Sequence, residues 1–341
     1  MTVLDNYDLR AMNTFRMKVR CAKFVEYDSV GELEKIAWDS LPKPFKHIGE
    51  GSNLLFTGDF PGTILHSRIK FVEYSALEGD DVTSTVGAGV RWDDFVQDSC
   101  LKGLWGAENL SLIPGETGAA AVQNIGAYGV EIKDIISSVS CFDLLEKCFV
   151  DFDVAECSYG YRDSFFKNCG GRYIVTSVTL RLTRKYSPRL EYKGILEALS
   201  AADNLSPDMV RDAVIRIRRE KLPDPEEIGS AGSFFKNPVV EAAVFDKVAA
   251  AARHLFGNNI SIPHFENPDG TVKIPAAWLI EKSGLKGARI GGAAVYDKQP
   301  LVIVNASETA SPQDILDLEE KIISSVRETF GVELHPEAEH I

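Results

Sequence analysis

Residues 106–132 read GAENLSLIPGETGAAAVQNIGAYGVEI, with five glycines and five alanines in 27 positions. So many small residues with so few charges suit neither a long helix nor a long strand, because glycine costs either element conformational entropy. They suit backbone that must pass close to something. A second block, IGEGSNLLF (48–56), follows a short apolar run. Gly49 and Gly51 can turn successive backbone N–H groups inward, and Ser52 and Asn53 add side-chain donors, a concavity suited to phosphate. Neither block is a nucleotide fingerprint of the common kinds. No G-K-[ST] closes the shorter one, its third glycine is missing, and Leu54-Leu55-Phe56 follows where a helix should begin. The plain alternatives are a glycine-containing hairpin for 48–56 and a structural loop for 106–132. A large flat ligand with a pyrophosphate would account for both blocks at once. TVGAGVRWDDFV (85–96) is a third place of close approach, with Trp92 expected in the core.

The rest of the chain punctuates strands and helices in alternation. GRYIVTSVTLRLTRK (171–185) is β-branched and alternates around Val178, Leu180 and Leu182, the pattern of a half-buried strand. LSPDMVRDAVIRIRREKLPDP has a capping Ser206, Pro207 in the first turn and Asp208 at the positive end of the dipole; Val210, Val214 and Ile217 share a face, and Pro223 and Pro225 stop the helix. A junction is expected at about 218–228. Beyond it, PVVEAAVFDKVAAAARHLF reads as a helix and PLVIVNAS as a buried strand. SPQDILDLEEKIISSVRETFG reads as a second capped helix, with Ile315, Leu318, Ile322 and Val326 in register and Gly331 at its end. The class is α+β or α/β with mixed sheets.

Composition excludes several functions. The net charge of −13 argues against a general binder of nucleic acid or anionic membrane, which needs surplus Lys and Arg. A local basic pocket for one phosphorylated ligand stays compatible with it. The six cysteines form no C-x-x-C pair and are expected as reduced thiols in a cytoplasmic protein. The six histidines form no H-E-x-x-H or paired spacing, so no metal is expected. No run of about eighteen apolar residues is present.

One further stretch, SAGSFFKNP (230–238), displays Ser233 behind Ala231 and Gly232. A serine on such a turn invites a nucleophile's role, yet no histidine motif lies nearby to activate it.

Taken with NTF (13–15), YGYRDSFFK (159–167), AAWLIEKSGLKGARIGGAAV (276–295) and HPE (335–337), these segments resemble the UDP-N-acetylenolpyruvoylglucosamine reductase family, in family order and over essentially the whole chain. The resemblance implies an α+β fold. It would have an FAD-binding unit of the vanillyl-alcohol-oxidase and p-cresol-methylhydroxylase type, made of two subdomains, and a C-terminal α+β substrate-binding domain. The expected divisions are 1–70 (which the C-terminal tail can join), 71–218 and 219–341. It implies bound FAD and NADPH as co-substrate, and a UDP-sugar substrate, with neither nucleic acid nor membrane as partner and a monomeric, cytoplasmic protein. The FAD contacts would come from Gly49, Glu50, Gly51, Ser52, Asn53 and Leu54, and from Pro114, Gly115, Gly118, Ala119, Gln123, Asn124, Gly126, Ala127 and Tyr128.

The implied reaction takes hydride from NADPH onto FAD and then from flavin N5 onto the vinyl carbon of an enolpyruvyl ether of UDP-N-acetylglucosamine, giving UDP-N-acetylmuramate for peptidoglycan synthesis. Negative charge then spreads into the substrate carboxylate, where a fixed guanidinium helps most. Arg162, in YGYRDS, matches that role. Glu337, in HPE, would have to be protonated to donate a hydrogen bond beside the enolate, its pKa raised by burial and by the substrate carboxylate. Ser233 becomes a general acid that protonates the new carbanion-like centre. Tyr192, in SPRLEYKG (187–194), matches the tyrosine that covers the substrate diphosphate in the longer class of the family. Lys221, Asn237 and Tyr161 match binding positions. Lys282 stands where the family commonly has glutamine. Arg218 and Arg219 either add to this basic edge or are solvated helix charges. Another flavin oxidase on the same fold and a non-catalytic nucleotide-binding protein are the competing readings.

Overall fold

The computed structural model describes residues 1–192, 194–199 and 204–341. The chain divides into two compact units. Unit 1 comprises Met1–Asp8, Arg20–Gly51 and Asp59–Glu220; unit 2 comprises Leu9–Val19, Ser52–Gly58 and Lys221–Ile341.

Unit 1 is built on two sheets. In the first, the strands run in the order Thr2–Asp8, Arg20–Tyr27, Phe60–Ser67, Phe45–Ile48, with the first pair antiparallel and the next two parallel. Phe60–Ser67 is buried along six consecutive residues from Gly62, as expected of a parallel strand covered on both faces. The second sheet is antiparallel, in the order Cys148–Asp153, Ile136–Asp143, Tyr173–Thr183, Asp81–Gly87, Val72–Ala76. Tyr173–Thr183 confirms the alternation seen in sequence: Val178, Leu180 and Leu182 point into a core they share with Val82, Val86, Trp92 and Phe95. Trp92 is fully buried there and donates from Nε1 to the carbonyl of Leu110 at 2.9 Å.

Helix Pro207–Lys221 starts where Ser206 was expected to cap it, with Ser206 Oγ accepting from Met209 N at 3.3 Å. Val210 and Val214 are fully buried, and Ile217 packs on the same cluster. Arg211 is buried beside them and forks onto Asp93, Nη1 to Oδ1 at 2.6 Å and Nη2 to Oδ2 at 2.8 Å. Asp93 also accepts from the backbone N of Leu112, a non-glycine residue held at φ 58°. This pair therefore pins the chain two residues before Pro114.

Unit 2 holds an antiparallel sheet in the order Gly229–Ser233, Val302–Asn305, Ala293–Val295, Arg289–Ile290, and a three-stranded sheet in the order Val239–Glu241, Thr271–Lys273, Phe265–Glu266. Val302–Asn305 is buried throughout, as its sequence implied. Helix Pro312–Phe330 has a full capping box, with Ser311 accepting from Asp314 N and Asp314 accepting from Ser311 N; Ile315, Leu318, Ile322 and Val326 are fully buried, and Gly331 ends it at φ 70°. The strand Leu54–Leu55 pairs in parallel with Glu339–His340 at the C-terminus. The runs flanking the glycines at 49 and 51 do not pair with each other, so the simple hairpin alternative for this stretch is not what forms.

Candidate functional site

The glycine blocks are tight because the protein's own atoms crowd them. A Cβ on Gly118 would lie 2.9 Å from Ala88 Cβ, one on Gly126 would lie 2.7 Å from Arg162 Nη1, and one on Gly89 would lie 2.4 Å from the carbonyl of Ser67. Contacts this short are not tolerated by real side chains. At 118 and 89 glycine is required by packing before any ligand is considered, whereas at 126 the nearest atom is the end of a movable arginine side chain. The loop at 114–119 is anchored along its length. The carbonyl of Gly115, at φ 110°, accepts from Trp92 N at 2.9 Å, and Thr117 N and Gly118 N donate to Val90 and Ala88. Glu50 pairs with Arg91 Nε at 3.0 Å.

Asn124 ends helix Thr117–Gln123 in the left-handed region at φ 45° and is fully buried. Its amide donates to the carbonyl of Gly160 at 2.7 Å and to Glu131 Oε2 at 3.1 Å, while its Oδ1 accepts from Lys133 N. The Gln123 amide oxygen accepts from Lys167 Nζ at 2.9 Å. These side chains shape the loop around Gly126, Ala127 and Tyr128.

Arg162 lies in the tight turn Gly160–Asp163, whose end residues exchange backbone hydrogen bonds, and it takes φ 54°. Its Nη2 donates to the carbonyl of Gly126 at 2.6 Å, and its guanidinium lies 5.4 Å from the Tyr161 ring. The guanidinium is thus held against the second glycine block, close to Ala127 and Tyr128. Tyr192 is exposed, and its ring meets that of Tyr128 edge-on at 5.1 Å.

Arg218 departs from the solvated helix charge that its sequence position allows. Its Nε is buried with no hydrogen-bond partner among the described residues. Burial pushes its pKa down; the Tyr128 hydroxyl and Asp93 oppose that, and the like charge of Arg162 adds to it. Asn109 Oδ1 is likewise a buried acceptor with no partner among the described residues, although its amide bonds the carbonyls of Tyr128 and Arg189. A buried donor and acceptor left open around Tyr128 call for a ligand carrying both complements. FAD, with carbonyls, a ring N–H and phosphates, fits that requirement. Sequence reasoning undervalued Arg218. Its signal was spacing, since Arg211, Val214 and Arg218 recur at helical intervals on the stripe that faces inward. Arg219 is exposed.

In unit 2, Ser233 ends its strand opposite Val302. Gly232 precedes it at φ 68° with open space where a Cβ would stand. The Ser233 hydroxyl is half-buried and has no hydrogen-bond partner among the described residues. The chain then runs beside the C-terminal segment: Phe235 bridges Pro336, Lys236 N donates to the carbonyl of His335 at 2.9 Å, and Glu337 N donates to that of Phe234 at 2.8 Å. Ser233 and Glu337 therefore flank one shared carbonyl. Asn53 reaches the same place, its amide donating to the Glu337 carbonyl at 3.1 Å. The segment at 13–15, for which the sequence offered no physical role, backs this strand. Ser230 N donates to the carbonyl of Thr14 at 3.0 Å, and a Cβ on Gly229 would lie 2.6 Å from the carbonyl of Phe15.

Other expected binding residues also have protein partners. Asn237 Oδ1 accepts from Ala276 N at 2.9 Å, at the start of helix Ala276–Lys282. Lys282 ends that helix, with Nζ 5.4 Å from the Phe256 ring. Lys221 is exposed at the end of helix Pro207–Lys221.

Comparison with known proteins agrees with this division of labour. A family model described as FAD binding domain matches residues 24–145, and one described as UDP-N-acetylenolpyruvoylglucosamine reductase, C-terminal domain, matches residues 224–341. The UDP-N-acetylenolpyruvoylglucosamine reductase of Bacteroides fragilis is 47% identical over 99% of both chains, and that of Chromobacterium violaceum is 44% identical over 97% of this chain and 96% of the other. The crystal structure of UDP-N-acetylenolpyruvylglucosamine reductase from Thermus caldophilus superposes with a TM-score of 0.69 at 25% identity, covering 100% of this chain and 99% of that one. With an FAD-binding domain, a matching C-terminal domain and close relatives along its full length, the chain belongs to the UDP-N-acetylenolpyruvoylglucosamine reductase family of oxidoreductases.

Proposed function

We propose that the protein reduces UDP-N-acetylglucosamine enolpyruvate to UDP-N-acetylmuramate, with FAD held by the loops at 49–54 and 114–128 and NADPH as the source of electrons. FAD supplies hydride chemistry when bound; this chain's residues do the rest. Arg162 holds the substrate carboxylate with a charge that never titrates away. Glu337, protonated, donates a second hydrogen bond to the same group as its charge grows. The Ser233 hydroxyl gives its proton to the adjacent carbon. Lys221, Tyr192 and Asn237 hold the diphosphate and uridine, with Tyr161 and Lys282 as further contacts, and Tyr192 covers the substrate as in the longer class of the family. The protein works in the cytoplasm as a monomer.

The observation that carries the reading is the arrangement around Phe234. A hydroxyl with no hydrogen-bond partner among the described residues stands one residue from the carbonyl that anchors the backbone of Glu337, which supports an acid and a second hydrogen-bonding group acting on one substrate.

The test is anaerobic. Flavin reduced by NADPH should regain its oxidised spectrum when the enolpyruvyl substrate is added. A flavin that ignores the UDP-sugar and is reoxidised only by oxygen would instead point to another flavin oxidase, and a colourless protein that takes up no FAD would point to a binding protein. For Glu337, the glutamine variant should keep most of the activity and the alanine variant should lose about 10²-fold or more. Equal losses in steady-state turnover would refute the protonated-donor role.

A further inference from the structure

His66 is a lone histidine in an apolar strand, 8% exposed. Its Nδ1 lies 2.9 Å from Oε1 of Glu26, its register partner on the neighbouring parallel strand, and its Nε2 lies 3.0 Å from Glu116 Oε1. An imidazole facing carboxylate oxygens at both nitrogens needs a proton in each contact. Arg68 Nη1 balances Glu26 at 3.2 Å, and Asp28 lies 3.5 Å beyond on Arg68 Nε. His47, bonded to the Tyr27 hydroxyl at 2.8 Å, is held neutral, its pKa pushed down to about 3 by burial and by the charge on His66.

Glu116 is 5% exposed and stands at the N-cap of helix Thr117–Gln123, yet its side chain does not cap that helix. One oxygen goes to His66. The other lies 3.1 Å from where a Cβ on Gly49 would stand. A single carboxylate of the second glycine loop thus bonds the central strand of the sheet and packs beside Gly49 of the first, all within unit 1.

We propose that His66 and Glu116 are positioning residues for FAD: their buried link fixes the spacing between residues 49–51 and residues 114–119 and so sets how tightly the cofactor is held. The inference rests on the reading that these two loops grip FAD.

The link lasts only while the pair keeps its proton. For His66, burial opposes the charge, but the hydrogen bonds and charges of Glu116 and Glu26 outweigh it and raise the pKa. For Glu116, burial raises the pKa and Glu50 adds to the rise, against His66 and Lys70. Both directions retain a proton on the pair. A group raised in the folded state stabilises fully below its unfolded value, about 6.5 for imidazole, and loses that contribution as pH climbs through the raised one. FAD should therefore be held less tightly as the medium becomes alkaline.

The test measures FAD released from diluted holoenzyme, by its fluorescence, from about pH 6.5 to about pH 9. The wild type should weaken on the order of tenfold over that range, the scale of one charge-assisted hydrogen bond. Glu116→Gln, which keeps an acceptor for His66 but cannot hold the charge, should be weaker on the order of tenfold near neutrality, with a flat profile. His66→Gln, which keeps a donor for Glu116, should also be flat. Folded variants, judged by circular dichroism, that retain wild-type affinity and slope overturn the proposal. If neither variant folds, the wild-type profile decides, and a flat one refutes the link. A wild type that never takes up FAD refutes the underlying reading instead.

Discussion

Ser233→Ala is expected to leave flavin reduction by NADPH within about twofold of wild type and to slow flavin reoxidation by the enolpyruvyl substrate by about 10²–10⁴-fold, the usual scale of a positioned general acid. The asymmetry follows from where the proton is needed. Hydride arriving from NADPH asks nothing of a hydroxyl. In the proposed reaction the carbon left electron-rich after hydride reaches the vinyl group must be protonated, the role proposed for Ser233, whose hydroxyl has no hydrogen-bond partner among the described residues. Alanine changes little else at that point, since the neighbouring backbone is fixed by the bonds from Ser230 N to Thr14 and from Phe234 N to Leu301. Stopped-flow traces of the two half-reactions separate the cases. If both fell by the same factor, the residue would be structural and the assignment wrong.

Arg211→Met should lower the unfolding free energy by about 3 kcal/mol, toward the lower end for breaking a buried ion pair, because Asp93 keeps part of its surface in water. The loss comes less from the missing attraction than from the carboxylate left behind. For Asp93, burial alone would raise the pKa; the Arg211 hydrogen bonds and the Leu112 N–H hold it below the ordinary value. A lowered carboxylate contributes stability above its unfolded pKa and loses it as pH falls, so the deficit of the variant should shrink in acid. The Asp93→Leu, Arg211→Met double variant removes both charges and should recover much of the loss. Denaturant melts of the three proteins at neutral pH check this. A single variant within about 1 kcal/mol of wild type would mean the pair is no more than an exposed one.

What the sequence disclosed and what it hid differ by range. Helix Pro312–Phe330 was legible to its caps because every signal, from Ser311 and Asp314 to Gly331, lies within twenty-odd residues. Ser233 drew attention through its local glycine context, and the helix at 207–221 through its prolines. Contacts between distant segments were not legible. Nothing in IGEGSNLLF says that Gly49 faces a carboxylate from residue 116 or that Leu54 pairs with residue 339. His66 has no motif, and its meaning comes from two glutamates supplied by other elements. The small residues at 118, 126 and 89 announced close approach, but not that atoms of the protein itself already crowd these positions. Arg218 was open to either reading on exposure, because a helix wheel shows a stripe and not its depth.

The route of the chain has a practical result for anyone who would dissect it. It passes between the two units at 8/9, 19/20, 51/52, 58/59 and 220/221. The C-terminal family match begins at residue 224, yet a fragment started there would lack Leu54–Leu55, the parallel neighbour of its last strand, and Thr14–Phe15, which support the strand bearing Ser233. The two halves are interlaced in sequence, so neither can be inherited, swapped or expressed as a module by a single cut.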